Sequence, residues 1–313
     1  MKLFYHPGFA APLGEHIMPI RKFGLVAGAL DSVGGIQILP PAPVTEADIL
    51  RVHDPEYVRA IQTGHPKNLA ESQKFPWTPE LYPSVLLTNG GVLAAARTAM
   101  TEKVSGALAS GFHHAGPDRG EGFCTFNGLV VAAEALRAEG TIQTVAVLDL
   151  DLHYGNGTAR LAASRPWLRA LSIYGNDYWE NTPFRDVSVR HHRDGPNHFS
   201  VPIPPSGEND GAHLLALLDE HLPWILEPNP PDLLLLQAGA DPLAKDPYSP
   251  LSLTAADLRN RDEAVFRLAK VSGIPVAWVL AGGYSPEISD IVEVHKNTAL
   301  AALGTFGDPV SGG

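Results

Sequence analysis

The chain has 313 residues, 44% of them hydrophobic, and its 34 acidic against 23 basic side chains give a formal net charge of −11. That length and apolar content support one large core, so a single domain over residues 1–313 is expected, and the acidity excludes a general nucleic-acid binder, which needs clustered Lys and Arg. A lone cysteine, Cys124, excludes an intrachain disulfide and any cysteine-based zinc cluster, leaving His and carboxylate side chains as ligands for a metal.

From the amino terminus onward, MKLFYHPGFAAPLGEH carries Pro and charge too early for a secretion signal, and no window offers 18 uncharged apolar residues. Membrane insertion is therefore not expected, and the cytoplasm is the default compartment. Short apolar runs then mark eight strands, at 3–5, 36–39, 107–110, 145–150, 171–174, 199–203, 233–237 and 276–280. Several are apolar without interruption and end in polar or Gly-rich residues, as strands of a parallel sheet buried on both faces do. Helical periodicity falls between them at 90–100, 127–138 and 257–271. The fold class expected is α/β, a single three-layer α/β/α domain with a mostly parallel sheet of about eight strands. Ligands in such folds bind beyond the carboxyl ends of the strands. The irregular segments around 63–83 and 174–197 are long for a compact domain and suit a binding surface.

The chemistry-bearing residues do follow strands. Asp149, Asp151 and His153 alternate along VAVLDLDLH and so share one side of an extended chain. A strand-end Asp often caps the next helix, but three polar groups at period two after a buried strand are costly unless something binds them, which makes capping the lesser reading. Asp241 ends the run LLLLQAGAD; by itself, before Pro242, it is best explained as a turn. With Asp151 and His153 it completes an Asp, His, Asp set that leaves a coordination position open for water, as catalytic zinc sites do. The tandem His113–His114 follows another strand and suits proton transfer near neutral pH. The pair His191–His192 in VRHHRDG is a solvated loop by its polar context. Ala281-Gly282-Gly283-Tyr284 follows the strand PVAWVL; paired glycines admit close backbone approach, and the Tyr hydroxyl suits an oxyanion donor or, equally, simple packing on a turn.

Together these motifs resemble the histone deacetylase superfamily, and among its classes class IV most. The resemblance rests on GFHHAGPDRGEGFCTFN at 111–127, LDLDLHYGNGT at 148–158, QAGADPLAKD at 237–246, RDEAVFR at 261–267, GGYSPEISDI at 282–291 and VHDPEYV at 52–58. It implies the arginase/deacetylase fold and a hydrolase that removes acetyl or longer acyl groups from lysine side chains or related amines. In that frame Asp151, His153 and Asp241 match the ligands of one zinc ion, with iron(II) as the substitute. His114 matches the general base, His113 its electrostatic partner oriented by Asp149, and Tyr284 the oxyanion donor. Asn156 matches the residue that orients His114, an Asp in class I enzymes and Asn in classes II and IV. A structural potassium ion is implied at Asp149, Asp151, His153 and Ser172. The acyl-lysine tunnel is implied between Gly122, Phe123 and Tyr248, with Trp179 and Phe184 as further wall candidates. Tyr154 departs from the His or Gln of related classes.

A neutral orienter stabilises the imidazolium less than a carboxylate, so Asn156→Asp is expected to raise the activity-linked pKa of His114; a pH-rate profile checks this. Arginase-type hydrolases hold two manganese ions, but Gly155 and Leu243 stand where those enzymes carry metal-binding Asp, so one metal is expected. A non-catalytic acyl-lysine-binding scaffold is the competing class; it is disfavoured because no ligand, His or Tyr of the set is missing. The partners expected are an acylated lysine or acylated amine, with neither nucleic acid nor membrane. Acetylpolyamines stay open as substrates, though 313 residues leave little room for the dimerising insertion common in enzymes that act on them.

Overall fold

The eight apolar runs become the eight strands of one sheet in the computed structural model, which describes residues 1–14, 16–176, 178–179, 182–183, 196–226 and 229–307. The strands are β1 (Lys2–Phe4), β2 (Gln37–Leu39), β3 (Val104–Ser110), β4 (Val145–Asp149) and β5 (Leu168–Tyr174). A short antiparallel pair follows, β6 (Tyr178–Trp179) with β7 (Thr182–Pro183), then β8 (His198–Pro202), β9 (Leu233–Ala238) and β10 (Val276–Leu280). The sheet order is β2-β1-β3-β10-β9-β4-β5-β8, and every pairing within it is parallel.

Continuous apolar runs are explained by burial on both faces. Leu234, Leu236 and Trp278 face one core and Leu233, Leu235 and Val279 the other. The first core is closed by α1 (Lys22–Leu30), α8 (Asp210–Leu226), α9 (Ala255–Val271) and α10 (Ile288–Phe306). The second is closed by α2 (Glu46–Leu50), α3 (Pro55–Thr63), α5 (Leu81–Glu102), α6 (Gly128–Ala138) and α7 (Asn156–Ala162), with the single turn α4 (Lys67–Ala70) beside α3. This is one α/β domain of three layers. Each fully buried Leu contributes about 2 kcal/mol to such cores.

Local signals set the helix boundaries. Thr254 and Asp257 form a capping box, so α9 begins two residues before the 257 expected from periodicity. The Asn127 side chain caps α6 by accepting from Val130 N–H. The larger difference is α5, which runs for 22 residues where periodicity marked only 90–100. Pro83 sits in its first turn, where a missing N–H costs nothing, and Gly90 in its middle lets the helix meet another segment closely. A Cβ at Gly90 would lie 2.0 Å from Ala42 O.

The central strands β3, β10, β9 and β4 are neighbours, and each delivers a singled-out group just past its carboxyl end. His113–His114 follow β3, Tyr284 follows β10, Asp241 follows β9, and Asp151 and His153 follow β4. Residues far apart in the chain therefore meet at one rim.

Candidate active site

The three ligand candidates converge. Ligand atoms of Asp151, His153 and Asp241 all lie within 4.8 Å of one another, and all three residues are buried. His153 Nδ1 is 3.2 Å from Asp151 Oδ1 and 3.0 Å from Asp241 Oδ2. Burial alone would lower the pKa of His153, but hydrogen bonds to the two carboxylates overcome it and push the imidazole up to about 10. Burial and the Asp151 charge push Asp241 up to about 7. Two buried carboxylates this close to one imidazole concentrate negative charge that a bound cation would neutralise.

The backbone is shaped around these carboxylates. Asp151 Oδ2 accepts from Gly282 N–H at 2.7 Å, and Asp241 Oδ1 accepts from Leu152 N–H at 3.0 Å. A Cβ at Gly282 would lie 1.8 Å from Asp241 Oδ2, so only glycine admits this approach. At Gly155 a Cβ would lie 2.3 Å from Asp149 Oδ2, which leaves no room there for the extra carboxylate of a two-metal centre.

His113 and His114 lie against each other, ring centroids 3.9 Å apart, yet their partners differ in charge. His113 Nδ1 is 2.7 Å from Asp149 Oδ2; burial opposes its protonation, but the Asp149 and Asp151 carboxylates prevail and raise its pKa. His114 Nδ1 is 2.7 Å from Asn156 Oδ1, and burial together with His113 and His153 holds its pKa well below the ordinary histidine value. The first ring thus favours the cation and the second the neutral base. Tyr284 is half-buried, and the desolvation of its phenol together with the Asp241 and Asp151 charges raises its pKa well above the ordinary value. Its ring packs edge-on against Tyr248 at 5.3 Å and lies 6.3 Å from that of His153.

A cavity lined by Met18, Gly122, Phe123, Cys124, the two tandem histidines, Asp151, His153 and Tyr284 opens onto these groups. Gly122 and Phe123 therefore stand at its wall, and the Tyr248 ring lies 6.3 Å from that of His153 without lining the cavity. Ser172 pairs in register with Asp149, with its Oγ 3.4 Å from Gly155 N. Tyr154 packs on Tyr174 and His198 instead of facing the cavity. Phe184, His191 and His192, together with the side chain of Trp179, lie outside the described residues.

Several contributing residues were not singled out in the sequence, although Asp246, Arg261 and Glu121 lie inside the quoted motifs. Asp246 accepts from Tyr284 N–H at 2.7 Å and from Tyr248 N–H at 3.0 Å, fixing both aromatics. Lys22 is fully buried and donates to Ala281 O at 2.5 Å; burial outweighs the Asp241, Asp151 and Asp246 charges and lowers its pKa to about 8. Arg261 lies inside a motif quoted above, but nothing in its spacing shows that it reaches back to Leu150 O and Gly239 O. Glu121, in a third motif, accepts from Asn156 Nδ2 at 2.6 Å.

The histone deacetylase domain family matches residues 16–299 of the chain. A protein from Picosynechococcus sp. is 31% identical over 307 residues, covering 96% of this chain and 98% of its own. Histone deacetylase 2 of Arabidopsis thaliana is 27% identical over 288 residues (88% and 72%), and the histone deacetylase-like amidohydrolase of Pseudomonas aeruginosa 29% over 257 residues (80% and 67%). Among solved structures, the acetylpolyamine aminohydrolase of Burkholderia pseudomallei superposes with a TM-score of 0.76 at 21% identity, covering 97% of this chain and 99% of its own, a likeness of fold. Among the described residues no helix is long and apolar enough to cross a membrane. A match over nine-tenths of its length, together with the convergence of four strand ends on one buried rim, makes this chain a member of the histone deacetylase family.

Proposed function

We propose that the chain is a class IV-like deacylase that hydrolyses acetyl or longer acyl groups from lysine side chains or related amines in the cytoplasm. The observation that carries this reading is the meeting, at one cavity, of an Asp, His, Asp set able to hold a metal ion, the His114 ring held on Asn156 Oδ1, and the Tyr284 phenol. Two carboxylates and an imidazole suit one zinc or iron(II) ion, and Asp151, His153 and Asp241 would hold it. When bound, that ion would supply Lewis-acid polarisation of the scissile carbonyl and a lowered pKa for water. His114 accepts the proton of the attacking water and returns it to the departing amine, as its neutral state allows. Tyr284 donates to the oxyanion that develops on the carbonyl. His113 lies against His114 with its Nδ1 on Asp149 Oδ2, a carboxylate that favours the protonated ring beside the base. A structural potassium ion near Asp149 and Ser172 belongs to the same proposal.

A matched panel of an acetyl-lysine peptide, a myristoyl-lysine peptide and acetylspermidine tests this, with zinc-reconstituted protein and a chelated control. Turnover of at least one substrate, lost on chelation and restored by zinc, is expected. Failure on every substrate with metal bound points to the scaffold class instead. Two metal ions per active chain would overturn the one-metal site.

Acyl length has its own test. Met18 and Phe123 line both the catalytic cavity and a second, apolar one that also meets Phe9, Leu13, Phe23 and Phe112. If a long chain extends past Met18, Met18→Trp should lower kcat/KM for the myristoyl peptide about tenfold more than for the acetyl peptide. An unchanged ratio removes this second cavity from the acyl path.

A further inference from the structure

Asn156 is a neutral side chain in contact with the proposed base, but it is not the end of its chain of contacts. Its Oδ1 accepts from His114 Nδ1 at 2.7 Å, and its Nδ2 donates to Glu121 Oε2 at 2.6 Å. Glu121 is 8% exposed. It is held by a closed turn in which Glu121 N–H donates to Cys124 O at 3.2 Å and Cys124 N–H to Glu121 O at 2.7 Å. Gly122 and Phe123 within that turn both have positive φ, 51° and 64°. Keeping a carboxylate so nearly out of water is costly unless its hydrogen bonds serve some purpose.

An Asn amide has two chemically different ends. A carboxylate only accepts, so it selects the NH2 end and leaves the carbonyl end for the imidazole. The carbonyl end in turn selects the His114 tautomer with its proton on Nδ1, so that Nε2 carries the lone pair. A buried charge two bonds away also polarises both hydrogen bonds in the same sense.

We propose that Glu121 is a positioning residue of the reaction, acting through Asn156 to fix the orientation and tautomer of His114 and supplying the negative charge that a neutral orienter lacks. The proposal rests on the assignment of His114 as the base. It also changes what Asn156→Asp does, because the new carboxylate would face Glu121 where an amide now bridges.

The test is an exchange of the two groups, assayed on zinc-loaded protein with the acetyl-lysine peptide and controlled by melting temperature and zinc content. Glu121→Ala is expected to lower kcat about 10- to 100-fold with KM within about twofold, as loss of such outer partners does. Asn156→Asp alone is expected to lose at least as much. Asn156→Asp combined with Glu121→Gln places the acceptor on His114 and the amide beyond it, and is expected to recover kcat at least about tenfold over Asn156→Asp alone. The 15N shifts of the His114 ring in protein labelled at histidine give a readout that does not need turnover: one Nδ1–H tautomer in the native chain, a mixture in Glu121→Ala. If Glu121→Ala fails to fold, the isosteric Glu121→Gln and the double variant still decide. Multiplicative losses in the double variant, or native kcat and an unmixed tautomer without the Glu121 carboxylate, would overturn the proposal. His114→Ala separates the two levels. Its loss of turnover beside silent Glu121 variants removes Glu121 alone, whereas native turnover removes the base assignment as well.

Discussion

Replacing Tyr284 by Phe is expected to lower kcat by about 10²- to 10³-fold, the effect of removing one donor to a developing oxyanion, or about 2.7–4 kcal/mol. KM should change little, since the hydroxyl matters most where charge develops and not in the ground state. The structure makes this substitution unusually clean. The ring is located by Tyr248 and Phe123, at 5.3 and 6.2 Å, and its backbone N–H by Asp246, and none of these contacts involves the hydroxyl. Phenylalanine should therefore occupy the same place, with melting temperature and zinc content unchanged. Burial and the Asp241 and Asp151 carboxylates raise the phenol pKa well above 10, so the hydroxyl remains a donor throughout the neutral and mildly alkaline range. Any loss of activity there as pH rises belongs to another group. Undiminished turnover of the acetyl-lysine peptide by Tyr284→Phe would leave the metal site without its proposed phenolic partner and sink the mechanism as stated.

The sheet and the rim were legible because their signals are one-dimensional. A doubly buried parallel strand writes itself as an unbroken apolar run, and β4, β9 and β10 appear in the sequence within a residue of their observed ends. Period two along Asp149, Asp151 and His153 likewise survives folding, since an extended chain keeps alternate side chains together. The sequence was silent where function depends on contacts between distant segments. Glu121 reads as a loop carboxylate until its distance to Asn156, 35 positions away, is known. Lys22 begins an ordinary helix, and only packing shows that α1 delivers its ammonium to Ala281 O, 259 positions away. The length of α5 was missed for a different reason. The expected helix begins at Gly90 and the segment before it, with Pro83, reads as irregular, yet Gly90 and Gly91 lie inside the helix where Ala42 and Phe9 pack against them.

Arg261 shows how such distant contacts support the metal site, and its replacement should be the most destabilising of the substitutions considered. The guanidinium is completely buried on α9, with Nε on Asp262 Oδ1 at 2.8 Å. Its Nη1 donates to Leu150 O at 3.0 Å and to Gly239 O at 2.9 Å, the carbonyls just before Asp151 and two residues before Asp241. One planar cation thus joins the ends of β4 and β9, the two strands that carry the candidate ligands. Asp262 is itself held by Thr298 Oγ1 of α10 at 2.6 Å, which anchors the clamp to the outer layer. Arg261→Met keeps most of the volume but leaves a buried carboxylate unpaired and two carbonyls unsatisfied, at a cost of about 3–5 kcal/mol. In a domain of this size that is a fall in melting temperature of roughly 5–8 °C. Zinc affinity should fall with it, about 10- to 100-fold, because the two strand ends are no longer held at a fixed separation. The two effects can be told apart by melting the variant at saturating zinc and titrating the metal well below the transition. Arg261→Lys should lie between, since an ammonium keeps the charge but cannot span Leu150 O, Gly239 O and Asp262 together. A melting temperature within about 2 °C of the native chain, where the cost of an unpaired buried carboxylate should dominate, would mean that β4 and β9 are held at their ligand-bearing ends by sheet pairing alone.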